Sequence, residues 1–414
     1  MPSACCAQKR PKTRPFFQCK DFAVTEITHS AQKNTTTCDI FCRVIDNFGD
    51  AGIAWRLART LIVERAWQVR LIIDDTATLS AFVPAVNIDC DTQSVAGITV
   101  QKWSEAWNAT RFGASDAADV VIEMFSCYLP ETYEAAIDEA VHGTNPRKVA
   151  VLALDYLTAE RYAEESNGLA SPHPRYGYPK TFLFPGFTDK TCGFVREAGL
   201  LEDIKAFEAD PRYRAQTLRA VGADPDHPFT LYFFTYPTTP VRELAQALAR
   251  DVRPIQIVAA PGKAGDMLEE ALTELGHPAH IRLVRHAMTD QLGFDRLLWA
   301  CDACLVRGED STMRAQLSGR PLIWSLYPQS EDTHLVKLAA FEALYCSGMP
   351  ENPRSLWHRL HAWINGAGPD PQAWHLWRDA MPEMRRHALL WRAHLFAATS
   401  LTERLTKVAE KQLK

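Results

Sequence analysis

No stretch of this 414-residue chain stays apolar for the roughly 18 residues that a membrane-crossing helix needs, so no transmembrane helix is predicted. Surplus positive charge is lacking too: 45 Lys and Arg stand against 50 Asp and Glu, a net charge of -5, which argues against the basic footprint of a nucleic-acid-binding protein. The first 37 residues contain no continuous apolar core of the kind a secretory signal requires, and the predicted location is cytoplasmic. Cysteines are present, 11 of them, but their number is odd and their spacing irregular, so reduced thiols are expected rather than a disulfide framework. Cys301-Asp302-Ala303-Cys304 has the C-x-x-C form, yet no second cysteine or histidine pair follows at zinc-ligand spacing, and no metal site is assigned. The G-x-G-x-x-G signature of dinucleotide binding is missing from the first strand-to-helix turn.

With 47% apolar and 23% charged residues, the chain is ordinary globular sequence, long enough for two cores. Residues 1–37 are polar and without periodicity, and are read as a flexible extension. Organised sequence starts with the strand-like run Cys38–Ile45, breaks at Asp46-Asn47-Phe48-Gly49-Asp50-Ala51-Gly52, and continues with Ala54, Leu57, Ala58 and Leu61 at helical spacing. Further strand candidates at Gln68–Asp75, Asp119–Phe125 and Lys148–Leu154 alternate with helical or loop sequence, the pattern of a parallel sheet covered on both faces. Asn167–Gly193 reads as loop-rich. After Gly222-Ala223-Asp224-Pro225 the alternation restarts, with strands predicted at Phe229–Phe234, Pro254–Val258, Ile281–Val284, Ala303–Val306 and Leu322–Leu326. The expected α/β organisation is therefore an extension (1–37), one Rossmann-like domain (38–225), a second (226–395), and a last helix (396–414) crossing back onto the first. A ligand is expected in the cleft between them, at the carboxyl ends of the strands.

Two turns at such ends carry chemistry. The first, Asp46 to Gly52, offers two carboxylates and two glycines; it would repel a pyrophosphate but suits a basic acceptor. Its plainer reading is that Asp50 or Asn47 caps the following helix. The second, Arg307-Gly308-Glu309-Asp310-Ser311, precedes a helix whose unpaired N–H groups, with Ser311 and Arg307, can hold a diphosphate without a lysine. Its plainer reading is a capped helix with an Arg–Glu surface pair. The run Tyr232-Phe233-Phe234-Thr235-Tyr236 can stack a base or belong to the core. Phe182–Thr188 and Tyr327–Asp332 are loops that can line the cleft or form packed turns.

Val44–Asp50, Phe184–Thr188, Asp295-Arg296-Leu297-Leu298-Trp299, Arg307–Ser311 and Tyr327-Pro328-Gln329 together resemble the protein-arginine rhamnosyltransferases that modify translation elongation factor P. The resemblance runs in order from about Asp39 to Leu344 and leaves the extension outside. It implies a GT-B glycosyltransferase fold, a dTDP-β-L-rhamnose donor, inversion at the anomeric carbon, elongation factor P as protein partner, and no metal or other cofactor. Asp46 and Asp50 match the family's paired aspartates and Glu309 its essential glutamate. Gln291, Arg307, Asp310 and Ser311 fall on its nucleotide-binding positions, and Phe294 on an aromatic position near the base. Asn47, Phe48, Gly49, Phe187, Tyr232, Phe234, Gly308 and Tyr327 complete the candidate binding residues. The chain departs from the family where Phe234 replaces a usual tyrosine, with Tyr232 and Tyr236 nearby, and where Ala287-Met288-Thr289-Asp290 replaces an aromatic-rich approach to Gln291.

The expected chemistry follows from the acceptor. A guanidinium is protonated and delocalised, so it needs a base and a fixed orientation. Asp50 is the expected base and Asp46 the group that orients the guanidinium; Arg307, Ser311 and the helix start meet the departing diphosphate, and Glu309 holds a sugar hydroxyl or supports Arg307. The alternatives are the same fold with a lipid or small-molecule acceptor, or a sugar-nucleotide-binding protein without catalysis.

Overall fold

The computed structural model describes residues 35–46, 48–328 and 333–414; the expected extension up to residue 34, Asn47 and the stretch 329–332 lie outside them. The first sheet comprises β1 (Thr37–Cys42), β2 (Gln68–Ile73), β3 (Thr92–Val95), β4 (Ile98–Lys102), β5 (Val120–Met124), β6 (Ala150–Leu154), β7 (Ala170–Pro172) and β8 (Pro179–Leu183). Its order is β3-β4-β2-β1-β5-β6-β8-β7, parallel except for the pairs β3/β4 and β7/β8. The second sheet is wholly parallel, in the order β11-β10-β9-β12-β13, and is built from β9 (Thr230–Phe233), β10 (Ile255–Ala259), β11 (Ile281–Arg285), β12 (Ala303–Arg307) and β13 (Leu322–Ser325).

Both central strands are largely apolar without strict alternation, Asp39 and Thr230 being buried polar exceptions, because both of their faces are covered. Ile40, Phe41 and Cys42 of β1 and Leu231 and Tyr232 of β9 expose essentially nothing. In the first sheet the chain moves from β1 outward through β2 and β4, then returns to β5 on the other side; in the second it goes from β9 to β10 and β11 and returns to β12. Each reversal leaves a crevice at the carboxyl ends, beside residue 42 in one sheet and residue 233 in the other. Helix Phe48–Arg65, buried on most of its circumference, follows β1 and packs both on its own sheet and on helix Glu309–Ser318 of the second half. No helix among the described residues is long and apolar enough to cross a membrane.

The structure corrects several expectations. The loop-rich Asn167–Gly193 also contains the antiparallel pair β7/β8, disguised in sequence by its Pro, Gly and His content. The β3/β4 hairpin was not expected, since β3 is a short, largely exposed edge strand without apolar alternation. Helices Leu200–Ala209 and Pro211–Ala220 place Leu200, Ile204, Phe207 and Leu218 in the core of the second sheet, so packing changes hands before residue 200 rather than at 225. The terminal helix Leu401–Leu413 inserts Leu401, Leu405 and Ala409 into the core of the first sheet. Ser400 caps it by accepting the Glu403 N–H, the first half of a capping box.

Candidate functional site

The two crevices open on one cavity of about 880 Å³ lined from both halves, with Asp46, Tyr156 and Leu157 on one side and Tyr236, Arg307 and Glu309 on the other. A smaller cavity shares Phe48 and Phe234 with it and is lined by Gln291, Phe294, Asp310 and Ser311.

The acidic turn is folded by its own carboxylate. Asp50 lies in the first turn of helix Phe48–Arg65, and one of its oxygens accepts the N–H groups of Ile45 (2.8 Å) and Asp46 (2.9 Å). It thus binds the backbone ahead of the helix rather than the helix's own first amides. Gly49 closes the turn by donating to the Asp46 carbonyl at 2.8 Å. A side chain there would start 2.9 Å from the Asp46 carboxylate, which explains the glycine. Burial pushes the Asp50 carboxyl up to about 6 against the opposing pull of those two backbone donors, and the charges of Asp46 and Glu309 add to the rise. Asp46 is also raised by burial, opposed first by the Tyr236 hydroxyl, which donates to both carboxylate oxygens at 2.8 Å, and then by the charges of Arg307 and Lys337.

Opposite stands the turn after β12. Gly308 adopts φ +63°, and a Cβ built on it would lie 2.8 Å from Asp46 Oδ2 and 3.4 Å from the Tyr236 hydroxyl. Only glycine lets the two halves approach this closely. The Arg307 guanidinium lies against the rings of Phe234 (4.7 Å) and Tyr236 (4.6 Å), which orient it over the cavity. The helix beginning at Glu309 has no side-chain cap, so its first amides are left for a ligand. Glu309 does not pair with Arg307: it accepts the Leu157 N–H at 2.7 Å and binds Lys337 at 2.7 Å. Its carboxyl is raised by burial, which Lys337 opposes. The Arg–Glu surface pair considered from sequence is therefore absent, and support of Arg307 by Glu309 is not what the structure shows.

Asp310 turns away from the large cavity and accepts the Arg56 Nε–H at 2.9 Å. It joins a buried network in which Arg56 and Arg314 share Asp295 and Glu197, tying helix Phe48–Arg65 to the two helices that flank β12. Gln291 reaches across the halves to the Gly52 carbonyl (2.9 Å), while its own buried carbonyl oxygen has no partner. Phe294 stands edge-on to Tyr232 at 5.7 Å; Tyr232 is fully buried, with its hydroxyl 3.3 Å from His286. Tyr327 is exposed and packs edge-on to Tyr236.

Thus Asp46, Phe48, Phe234, Arg307, Gly308, Glu309 and Tyr327 come together around the large cavity, and Gln291, Phe294, Tyr232 and Ser311 around the small one. Gly49 and Asp50 shape the rim from behind. Phe187 does not join them, because it is packed between Phe341 (5.3 Å) and Trp391 (6.0 Å) in the second core. Sequence reasoning overlooked Tyr236 as the partner of Asp46, and it overlooked Lys337 and Arg56 altogether. A lone cation on a helix reads as solvated, and nothing local marked either of the last two.

Two parallel sheets with facing reversal points, an acidic turn on one and an uncapped helix start on the other, define a glycosyltransferase of GT-B architecture. A UDP-glucosyltransferase from Polygonum tinctorium shares that fold at 12% identity and a TM-score of 0.51, over 92% of this chain and 100% of the other. The match becomes specific with the family described as Elongation-Factor P (EF-P) rhamnosyltransferase EarP, which covers residues 38–410; the chain belongs to this family. The protein-arginine rhamnosyltransferase of Pseudomonas putida is 37% identical over 383 residues, spanning 89% of this chain and 97% of that protein. A structure solved for EarP-mediated arginine glycosylation of elongation factor EF-P superposes with a TM-score of 0.60 at 27% identity, over 91% and 99% of the two chains.

Proposed function

We propose that the chain transfers L-rhamnose from dTDP-β-L-rhamnose to an arginine side chain of EF-P, with inversion at the anomeric carbon. One observation carries the residue assignment: Asp46, its backbone N–H held by the buried Asp50 behind it, and an aromatic-bound arginine at an uncapped helix start face each other across a single cavity.

The acceptor guanidinium enters the acidic side. Asp46 keeps lone pairs free beside its Tyr236 bond and holds the cation in line with the sugar. A carboxyl with a pKa near 6 cannot deprotonate a free guanidinium beforehand, so the proton passes to Asp50 as the new N–C bond forms. The sugar C–O bond to the diphosphate breaks in the same step, and dTDP leaves toward Arg307, Ser311 and the amides that open helix Glu309–Ser318. The smaller cavity, bounded by Phe294, Phe234 and the unpartnered Gln291 oxygen, is of a kind to hold the nucleobase. Because the acceptor is a translation factor, the reaction belongs in the cytoplasm.

The test is to incubate the chain with dTDP-rhamnose and EF-P and weigh the acceptor intact. Gain of one deoxyhexose on an arginine is expected, and an unchanged mass refutes the activity. Arg307→Ala should weaken dTDP binding by about tenfold or more, as loss of a charge-assisted contact does. Parental affinity in that variant would show that the diphosphate sits elsewhere.

A further inference from the structure

Glu309 is gripped from both sides of the cleft. Leu157, in the loop after β6, gives its N–H to one carboxylate oxygen, while Lys337, on helix Thr333–Tyr345 of the second half, gives its ammonium to the other, each at 2.7 Å. The lysine side chain is only 20% exposed, and its ammonium lies 5.7 Å from the ring centre of Trp324. The Trp324 indole N–H in turn donates to the Gly308 carbonyl at 3.0 Å. Lys337 is therefore built into the cavity wall with the turn that carries Gly308 and Glu309.

Resting on the functional reading above, we propose that Lys337 is a positioning residue of the transfer reaction: it keeps Glu309 anionic and pinned to the Leu157 amide. The wall of the cavity then holds a fixed negative charge toward the acceptor guanidinium. The surroundings show why a cation is needed. Asp46 and Asp50 face Glu309 from the acidic turn, Tyr156 and Tyr162 from the segment after β6, and Tyr236 from the end of β9. None of these carries positive charge; Arg307, Lys263 and His334 also line the cavity, Arg307 being held on the rings of Phe234 and Tyr236 rather than at Glu309, while burial and the two aspartates favour a protonated Glu309. A neutral carboxylic acid would keep a proton on one oxygen, weaken its bond to Leu157 and remove the negative charge that the guanidinium meets. Lys337 supplies the opposing pull at hydrogen-bond distance.

The experiment measures kcat against pH for the full chain with EF-P and dTDP-rhamnose, comparing the parent with Lys337→Met, Lys337→Arg, Glu309→Gln and the double variant. Lys337→Met is expected to lower kcat by about tenfold or more and to move the acid limb of the profile up by about one pH unit, the size of a lost opposite charge. Lys337→Arg should keep the parental limb. In the Glu309→Gln background, adding Lys337→Met should change kcat little, because the partner charge has already gone. An acid limb in Lys337→Met that coincides with the parent's, whatever the rate, overturns the inference, since a merely structural lysine would lower activity without moving the profile. If Lys337→Met yields no folded protein, Lys337→Gln takes its place under the same criterion: an acid limb moved up supports the proposal and a parental limb overturns it. A parent chain that transfers no sugar overturns the functional reading and takes this inference with it.

Discussion

At Asp50, burial opposes a charge that the proposed chemistry requires. Its carboxyl is pushed up to about 6 in the folded chain, against about 3.9 for an unfolded aspartate. The folded state therefore holds a proton between those values that the unfolded state releases. This group's contribution to stability is complete below about pH 4 and is lost as pH rises through about 6. Above that, the folded protein carries a buried anion at a cost on the order of 2–3 kcal/mol. Asp50→Asn keeps an oxygen to accept the Ile45 and Asp46 amides and removes the charge. It should unfold at a higher temperature than the parent at pH 8, with the advantage vanishing near pH 4, while transfer falls by about a hundredfold or more. Thermal melts across pH check this, and a variant no more stable than the parent at pH 8 contradicts the assigned burial cost. The parent's kcat/KM should likewise decline as pH drops below about 6.

Between residue and fold lies the turn from β12 to helix Glu309–Ser318. Its shape depends on Gly308, whose φ of +63° and missing Cβ let the Asp46 carboxylate and the Tyr236 hydroxyl come within contact of the backbone. Gly308→Ala introduces both a left-handed strain of roughly 1–2 kcal/mol and a methyl in the place of the carboxylate. The expected outcome is a modestly lowered Tm with transfer reduced far more than dTDP affinity, because the displaced group is Asp46 rather than the diphosphate site. Calorimetry of dTDP binding beside the mass assay separates the two; equal losses of binding and turnover would mean that the turn serves the nucleotide alone. The motif Arg307-Gly308-Glu309-Asp310-Ser311 was visible as a strand-to-helix turn, yet its members scatter once folded. Arg307 goes to the aromatic rings, Glu309 to Lys337 and Asp310 to Arg56.

Across the whole molecule, the halves are tied by helix Phe48–Arg65, which carries Asp50 at its start and Arg56 two turns on. Arg56 and Arg314 neutralise most of the charge on Asp295, Glu197 and Asp310, so the spacing between the acidic turn and the helix start at Glu309 is set by this buried network. Arg56→Met leaves buried carboxylates short of a partner and should cost about 3–5 kcal/mol in urea or thermal unfolding, with loss of transfer. Arg56→Lys should recover only part of the stability, since an ammonium cannot serve three carboxylates in fork geometry. An unchanged Tm in Arg56→Met would show that the halves are held by apolar packing instead.

Local order along the chain was enough for the alternation of buried strands and helices, the two turns at the strand ends and the restart of the pattern in the second half. Each of these depends on residues within a few positions of one another, where periodicity, glycine and capping groups act. The hairpins β3/β4 and β7/β8 escaped because edge strands need no apolar alternation. Folding alone settled which charged groups meet. Tyr236 reaches Asp46 across 190 positions and Arg56 reaches Asp310 across 254. Phe187, equally suited to a cleft or a core, went to the core because Phe341 and Trp391 converge there from distant helices. Such pairings are decided by desolvation: a buried charge or ring must find its partner in three dimensions, and neighbours in sequence do not reveal which one it will be.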